Sequence, residues 1–209
     1  MMGEHSKAEW NLLLPVLAMV SFPIIRMSMG FGAIESAFLI AVVPLAIFPA
    51  ILILGQLYKG EDWWKNQLKE GGIVALAGLM ITLSLTVWLI VEFLVHHADF
   101  GAQGTILDWI HFEVLEGETL VGTSTLSFGL WIDSVSLMVL FVAAFLCFLI
   151  CWFAIGYMTT DPINEDRNHR FFAEFILFSM GMFGMVLADN FLWLFIFWEI
   201  MGLCSYLLI

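Results

Sequence analysis

The sequence predicts an all-α fold, a polytopic membrane helix bundle with about six transmembrane helices. Of its 209 residues, 62% are hydrophobic and only 12% are charged, and the mean hydropathy is +0.98. These values lie outside the range of water-soluble globular domains and are typical of proteins that cross a membrane several times. Each crossing needs about 20 apolar residues in a helix, because only a helix satisfies its own backbone hydrogen bonds in lipid.

Six apolar runs follow one another along the chain. The first, residues 11–25, is short and contains Pro15 and Pro23, so a transmembrane helix and a helix on the membrane surface both stay open. A cleaved signal peptide is disfavoured, because no small-residue cleavage site is evident. The other runs cover residues 33–58, 71–95, 132–157, 171–188 and 191–209. Pro44 and Pro49 predict a kink in the second run.

These runs divide the chain into four regions. An N-terminal segment with room for an extra transmembrane helix covers residues 1–30, and two transmembrane helices occupy residues 31–96. An acidic outer loop is expected at residues 97–131, and three transmembrane helices at residues 132–209.

The positions of Lys and Arg predict the orientation, since cytoplasmic loops carry an excess of these residues. Two linkers carry basic residues, whereas residues 96–131 carry none. The basic residues of the two linkers are Lys59, Lys65, Lys69, Arg167 and Arg170. We therefore expect a multi-pass protein of the cytoplasmic (inner) membrane with both termini inside. The net charge of −12 argues against nucleic acid as a partner.

The cysteines and short motifs indicate no cofactor in this chain. Cys147, Cys151 and Cys204 lack the paired short spacings of a zinc or iron–sulfur site, which favours a packing role. No glycine-rich pattern for binding a nucleotide is present. We therefore expect neither a bound cofactor nor a metal.

One carboxylate stands in the middle of the last apolar run. Glu199 lies nine residues after Asn190, which places it roughly 13–14 Å along a helix and close to the bilayer midplane. A carboxylate there costs on the order of 2.5–3.5 kcal/mol, so it should have a partner. If residues 187–190 form a tight outer turn, Glu199 lies level with Ser179 and Met180. Ser179 is a weak partner, so either Glu199 stays protonated or its cation comes from elsewhere.

Three further ionisable residues lie at the edges of apolar runs. Asp133 begins the fourth run, where it can cap a helix N-terminus, take up protons or contact another subunit. Glu174 follows Arg170 by one helical turn, so the two residues can form an ion pair near the inner surface.

The second half of the chain resembles a known family. The runs STLSFGLWIDSVSLMVLF and RFFAEFILFSMGMFGMVLADNFLWLFIFWEIMGLCSYLLI are similar to the N-terminal part of the antiporter-like subunit L (chain 5) of respiratory complex I, NADH:quinone oxidoreductase. A closely similar component occurs in the multisubunit cation/proton antiporters, to which that family is related. The resemblance covers residues 126–209, and the earlier part is matched only by hydropathy.

The resemblance implies a non-redox membrane subunit that contributes to proton translocation coupled to electron transfer. Glu199 would be the buried glutamate of the proton path, paired with a lysine on a later, broken helix. Asp133 and Arg170 would be supporting or contact residues. The implied partners are the lipid bilayer and the other membrane subunits of a complex I-like assembly.

The chain departs from the family pattern in three ways. Glu174 stands where the family usually has an uncharged residue, the N-terminus carries an extra apolar segment, and the family continues well beyond Ile209. The missing part would hold the lysines and the broken helices. We therefore expect a split subunit, completed by another chain that continues the fold after Ile209.

Two other classes of function stay open on this sequence. The chain can belong to a multisubunit Na⁺/H⁺ antiporter, a membrane hydrogenase or an inorganic-carbon uptake complex, which contain similar subunits. It can also be a purely structural membrane fragment that braces a complex without moving protons. Water access to Glu199 would separate the structural alternative from the others.

Overall fold

A computed structural model describes residues 16–17, 19–30, 32–96, 102–116, 119–158 and 167–209. Its helices are α1 (Met19–Ser28), α2 (Ala33–Ser36), α3 (Leu39–Leu57), α4 (Asp62–Asn66), α5 (Gly72–His96), α6 (Ser134–Met158), α7 (Asn168–Leu187) and α8 (Phe191–Leu207). A short 3₁₀ turn, Lys69–Gly71, precedes α5, and two strands, β1 (Ala102–Glu116) and β2 (Thr119–Ile132), lie between α5 and α6.

Four of the described helices are long and apolar enough to cross a membrane: α3, α5 with the turn before it, α6 and α7. Two shorter apolar helices, α1 and α8, accompany them. The prediction of an all-α polytopic membrane bundle is therefore confirmed. Part of the first predicted run, residues 11–15 and 18, lies outside the described residues, and α1 extends beyond the predicted end of that run. Helix α3 continues through both Pro44 and Pro49.

Helix α7 lies at the centre of the bundle and contacts all four of the helices α3, α5, α6 and α8. Its buried side chains recur at helical spacing on several sides, as expected for a helix surrounded by others. The most buried of them are Phe172, Ala173, Ile176, Phe183 and Leu187. Helix α8 packs mainly on α7, so α8 forms one edge of the described bundle.

The segment between α5 and α6 forms an antiparallel hairpin rather than an irregular loop. The pairing runs from Ala102 opposite Ile132 to Glu116 opposite Thr119, with three irregularities in register. Both strands are rich in Thr, Val, Ile, Phe and Trp, residue types that favour strands. The acidic residues of this segment instead favoured the prediction of an outer loop.

The two ends of the bundle carry different connections. At one end, β2 forms a bridge from Leu130 to Ala188 in the turn between α7 and α8. At the other end, the Glu70 carboxylate accepts the backbone N–H of Asn168 at 2.9 Å, and the His169 ring packs against Gly55. The hairpin and the α7–α8 turn thus share one end, and the linkers that contain Lys59 and Arg167 share the other. The connections between helices therefore alternate between the two ends of the bundle, as the sequence predicts. Which end faces the cytoplasm stays a prediction.

The start of α5 depends on an unusual backbone corner. Lys69, Glu70 and Gly71 have φ angles of 49°, 53° and 93°, and such left-handed conformations are costly for residues other than glycine. Glu70 is nevertheless buried. The corner turns its carboxylate toward the N-terminus of α7, where a negative charge is favourable.

Candidate functional site

The candidate site is built on the tight turn between α7 and α8. Asn190 is the N-cap of α8, since its side-chain oxygen accepts the backbone N–H of Trp193 at 3.1 Å. The amide nitrogen of Asn190 donates to the backbone oxygen of Ser127 in β2 at 2.8 Å. The indole N–H of Trp193 donates to the same oxygen at 3.0 Å. The first turn of α8 is therefore fixed to the hairpin.

Two glycines on α7 allow α8 to approach closely. A Cβ atom at Gly181 would lie 3.1 Å from the backbone oxygen of Phe197 and 3.3 Å from atoms of Met201. At Gly184 it would lie 2.6 Å from the Phe197 ring. The contacts at Phe197 and Met201 place Glu199 level with Gly181, next in sequence to Met180. The level along α7 predicted for Glu199 from the hairpin thus agrees with the structure, and its depth in the membrane stays a prediction.

Glu199 lies on the face of α8 that points away from α7. It is exposed and shares that face with Phe195, Gly202 and Tyr206, which are spaced four, three and four residues apart. Phe195 is 50% exposed and Tyr206 is 76% exposed, and a Cβ atom at Gly202 would meet no described residue within 4 Å. Cys204, which is fully buried, lies on the side of α8 that packs on the bundle.

Ser179, the side chain predicted at the depth of Glu199, is already bonded within its own helix. It is fully buried, and its hydroxyl donates to the backbone oxygen of Phe175 at 2.9 Å. Within the described ranges, no hydrogen bond or ion pair reaches the carboxylate of Glu199. Any partner for this carboxylate must therefore approach from outside the described bundle.

Arg170 and Glu174 lie one turn apart at the linker end of α7. The distance from Arg170 Nη2 to Glu174 Oε1 is 4.0 Å, and the two side chains are 64% and 14% exposed, respectively. The predicted ion pair is therefore present at the limit of contact distance. Exposed pairs of this kind contribute about 0–1 kcal/mol, so the pair is a weak link.

Asp133 caps α6 at the end of the bundle that carries the hairpin. Asp133 Oδ1 accepts the backbone N–H of Ser136 at 2.6 Å, and the Ser136 hydroxyl oxygen accepts the backbone N–H of Asp133 at 2.8 Å. The hydrogen bond from the Ser136 backbone lowers the pKa of Asp133 below its ordinary value. This reciprocal arrangement satisfies helix N–H groups that would otherwise lack acceptors.

The structure does not bring the predicted site residues into one cluster. Asp133 lies at one end of the bundle, Arg170 and Glu174 lie at the other, and Glu199 lies between them in depth on the outer face of α8. Among the described residues, no group of three His, Cys, Asp or Glu side chains is arranged to hold a metal ion. The predicted site residues therefore occupy three separate positions in the described bundle.

Sequence reasoning missed two buried polar residues at the linker end. Glu70 is 6% exposed and His169 is 7% exposed, and both join α7 to its neighbours. Glu70 stands between Lys69 and Gly71 and looks like a solvated linker residue. The clue available in the sequence was its position directly before an apolar run, where an acidic residue favours a helix N-terminus.

Comparison with known proteins identifies sequence relatives of the second half of the chain. Residues 119–172 match the family described as NADH-Ubiquinone oxidoreductase (complex I), chain 5 N-terminus. The chain is 44% identical over 78 residues to F(420)H(2) dehydrogenase subunit L of Methanosarcina mazei, which covers 37% of this chain and 11% of that protein.

Two other relatives, aligned over 88 and 170 residues, are named as chain 5 or subunit 5 of NAD(P)H-quinone oxidoreductase. NAD(P)H-quinone oxidoreductase chain 5 of Synechocystis sp. is 38% identical over 88 residues, or 42% of this chain and 12% of that protein. NAD(P)H-quinone oxidoreductase subunit 5, chloroplastic, of Zygnema circumcarinatum is 28% identical over 170 residues, or 80% of this chain and 22% of that protein. The chain thus spans less than a quarter of the length of these relatives. The resemblance to complex I chain 5 noted from the sequence is confirmed.

Proposed function

We propose that this chain, which matches the complex I chain 5 N-terminus family over residues 119–172, contributes to proton translocation in a complex I-like NADH/quinone-type oxidoreductase. It is a multi-pass membrane protein, and its relatives are named as subunits of larger oxidoreductases. In this proposal the chain carries no redox chemistry of its own. It supplies Glu199 as a proton-binding group within the membrane.

The observation that carries the proposal is the outward position of Glu199 in α8. A carboxylate at that depth costs on the order of 2.5–3.5 kcal/mol unless it meets a partner or water. The chain places it on a face with Gly202 at its centre, and small residues are what allow transmembrane helices to approach closely. This face suits a neighbouring helix that brings a cation to Glu199.

The partner that fits this face is a helix carrying a lysine at the same depth. In a low-dielectric interior, a nearby cation favours the charged form of a carboxylate, whereas its withdrawal favours the protonated form. A lysine that alternates between two positions would therefore make the carboxylate release and take up a proton in turn. Moving one charge across 100 mV costs about 2.3 kcal/mol, which corresponds to a change of roughly 50-fold in proton affinity at about 1.36 kcal/mol per tenfold step.

The other candidate residues support this step by position. Asp133 fixes the start of α6 against the hairpin, and Arg170 lies at the start of the central helix α7. In the proposed assembly, helices of other membrane subunits, or of a polypeptide that continues the fold, cover α8. The proposed location is the cytoplasmic membrane with the basic linkers inside, because short loops rich in Lys and Arg stay on that side.

The test is Glu199→Gln in the assembled complex, reconstituted into sealed vesicles. Glutamine keeps the shape of the side chain but cannot carry the proton, so we expect proton translocation per electron pair to fall while electron transfer and subunit content persist. Asp108→Asn is the matched control, because Asp108 is an exposed acid in β1. Unchanged translocation in Glu199→Gln would show that Glu199 is structural and would remove the proposal's main support.

A further inference from the structure

Glu174 borders a cavity that lies apart from the exposed face of α8. This cavity has a volume of about 400 Å³ and lies between α3, α7 and the last turn of α8. Its lining residues are Phe48, Leu52, Gln56, Arg170, Glu174, Leu177 and Leu207. A single water needs only about 10–15 Å³ by this measure. The cavity therefore has room for a group of waters beside the carboxylate.

The polar part of the cavity lies at the linker end of the bundle. Gln56 is the second-last residue of α3, and Arg170 lies in the first turn of α7. Both side chains are exposed, so this end of the cavity opens to the surface of the described bundle. The walls farther along α3, Phe48 and Leu52, are apolar. Glu174 thus lies between the exposed, polar end of the cavity and its apolar walls.

The groups that face Glu174 do not neutralise it strongly. Its own helix offers Arg170, which is 64% exposed and 4.0 Å away. From α3 the facing side chains are Leu52 and Gln56, which carry no charge, and α8 contributes Leu207 and the thiol of Cys204. Arg167 and Arg170 line a second cleft that Glu174 also borders. A carboxylate with only 14% of its side chain exposed therefore has Arg170 only at the limit of contact distance, and the cavity leaves room for water beside it.

We infer that Glu174 is a proton-exchange residue for the linker side of the membrane. Its carboxylate oxygen accepts a proton from a hydronium ion in the cavity, which leaves water, and the same oxygen later releases the proton to water. The site is separate from Glu199, since the two carboxylates lie on different sides of α8. Cys204 lies on the buried side of α8, near Glu174. It is five residues from Glu199, or roughly 7.5 Å along the helix axis.

This inference rests on the proposed function for its role, because proton exchange at Glu174 serves translocation only if the chain translocates protons. Water access to Glu174, however, is measurable without any translocation. The two claims can therefore fail separately.

The first test measures water access by chemical modification. Sealed vesicles that contain the assembled complex are treated with a water-soluble carbodiimide and glycine ethyl ester, which convert carboxyls reached from water into amides, and Glu174 is quantified by mass spectrometry. We expect modification from the side of the basic linkers and little from the hairpin side. Leu52→Trp, which places a larger ring in the cavity and narrows it, should lower the modification at least fivefold. Val42→Trp, on α3 but at a different cavity, should leave it unchanged.

Two results of this test would overturn the inference. One is the absence of Glu174 modification from the linker side, and the other is equal modification in Leu52→Trp and wild type. The amount of assembled complex is measured for each variant, so loss of folding is recognised. A Glu174→Asp variant, which retains an acid in the same cavity, should still be modified and serves when Leu52→Trp does not assemble.

The second test measures the use of this access. Glu174→Gln should slow proton translocation several-fold when the linker side is alkaline, where protons are scarce, and much less when it is acidic. Glu174→Asp should restore much of the rate. Identical pH profiles for Glu174→Gln and wild type would overturn the inference. If Glu199→Gln translocates normally while Glu174 is still modified through the cavity, the proposed function fails and the access site stands.

Discussion

The amide nitrogen of Asn190 donates a 2.8 Å hydrogen bond to the backbone oxygen of Ser127, 63 positions earlier in the chain. The same side chain caps α8 through its oxygen. One residue therefore fixes both the start of the helix that carries Glu199 and the position of the hairpin over it. The Trp193 ring, which packs against Phe128 with centroids 4.2 Å apart, adds an apolar contact to this junction.

Substitutions at Asn190 should separate its two roles. Asn190→Asp keeps the oxygen that caps α8 but loses the donor to Ser127, whereas Asn190→Ala loses both. We expect Asn190→Ala to lower stability by about 0.5–2 kcal/mol, the usual cost of losing an N-cap. Asn190→Asp sets a carboxylate oxygen against the Ser127 carbonyl and the Asp189 carboxylate, to which Asn190 donates at 2.7 Å, so it should lower stability at least as much. Thermal unfolding of the purified protein in detergent measures both. Equal stability of Asn190→Ala and wild type would show that the cap contributes nothing.

Asp133 should make the stability depend on pH in a predictable direction. Its pKa is lowered in the folded protein, so its contribution is present above the ordinary aspartate value of about 3.9 and is lost as the pH falls through the folded value. Asp133→Ala should cost about 0.5–2 kcal/mol at neutral pH, and this difference should shrink in acid.

The control for Asp133 is Asp133→Asn, which keeps a capping oxygen without a charge. Its stability should change less between neutral and acidic pH than that of wild type, as measured by unfolding in detergent at both pH values. A difference between wild type and Asp133→Ala that grows in acid would contradict the assignment of Asp133 as an ionised cap.

Two glycines, one in the contact between α7 and α8 and one on the outer face of α8, should respond differently to leucine. Gly181→Leu forces a side chain against the backbone of Phe197, and overpacking of this kind costs about 1–3 kcal/mol. A Cβ atom at Gly202 would meet no neighbour within 4 Å among the described residues, so the unfolding of the isolated Gly202→Leu chain should be unchanged.

If α8 is covered by another helix, Gly202→Leu should instead reduce the recovery of assembled complex. Affinity purification followed by quantification of the co-purified membrane subunits measures this. Normal assembly of Gly202→Leu would show that the face around Glu199 is not a helix interface.

The orientation can be tested with single cysteines at exposed positions. Thr105 in β1 and Gln67 beside α4 are both exposed and lie at opposite ends of the bundle. We expect a membrane-impermeant thiol reagent applied outside intact cells to modify Thr105→Cys but not Gln67→Cys, because the linker around Gln67 carries the lysines that stay inside. The opposite pattern would reverse the assignment of the two sides. Wild type, whose three cysteines are buried, is the control.

The apolar runs of the sequence predicted α3 and α5 to α8 well. Backbone N–H and C=O groups without a hydrogen bond are costly in lipid, and a helix satisfies all of them within the run. The hairpin was not predicted. Strand pairing depends on the alternation of apolar and polar residues and on contacts between strands. The acidic residues within positions 97–131 made both hard to recognise in the sequence.

The candidate site was predicted in part. The level of Glu199 along α7 followed from counting residues after Asn190, and the cap at Asp133 followed from its place before an apolar run. The direction in which Glu199 points did not follow, because α8 is apolar all round and its periodicity marks no buried face. The contact between Glu70 and Asn168 was also out of reach, since it joins residues 98 positions apart through a left-handed corner.

Because Glu199 points outward, the amount of stable protein should depend on the amount of the membrane subunits that cover α8. A copy that has not been assembled presents an acid to lipid, at a cost on the order of 2.5–3.5 kcal/mol. That cost corresponds to roughly a hundredfold preference for the assembled state at equilibrium. Orphan copies are therefore expected to be short-lived, and synthesis of this chain without its neighbours should produce little stable protein.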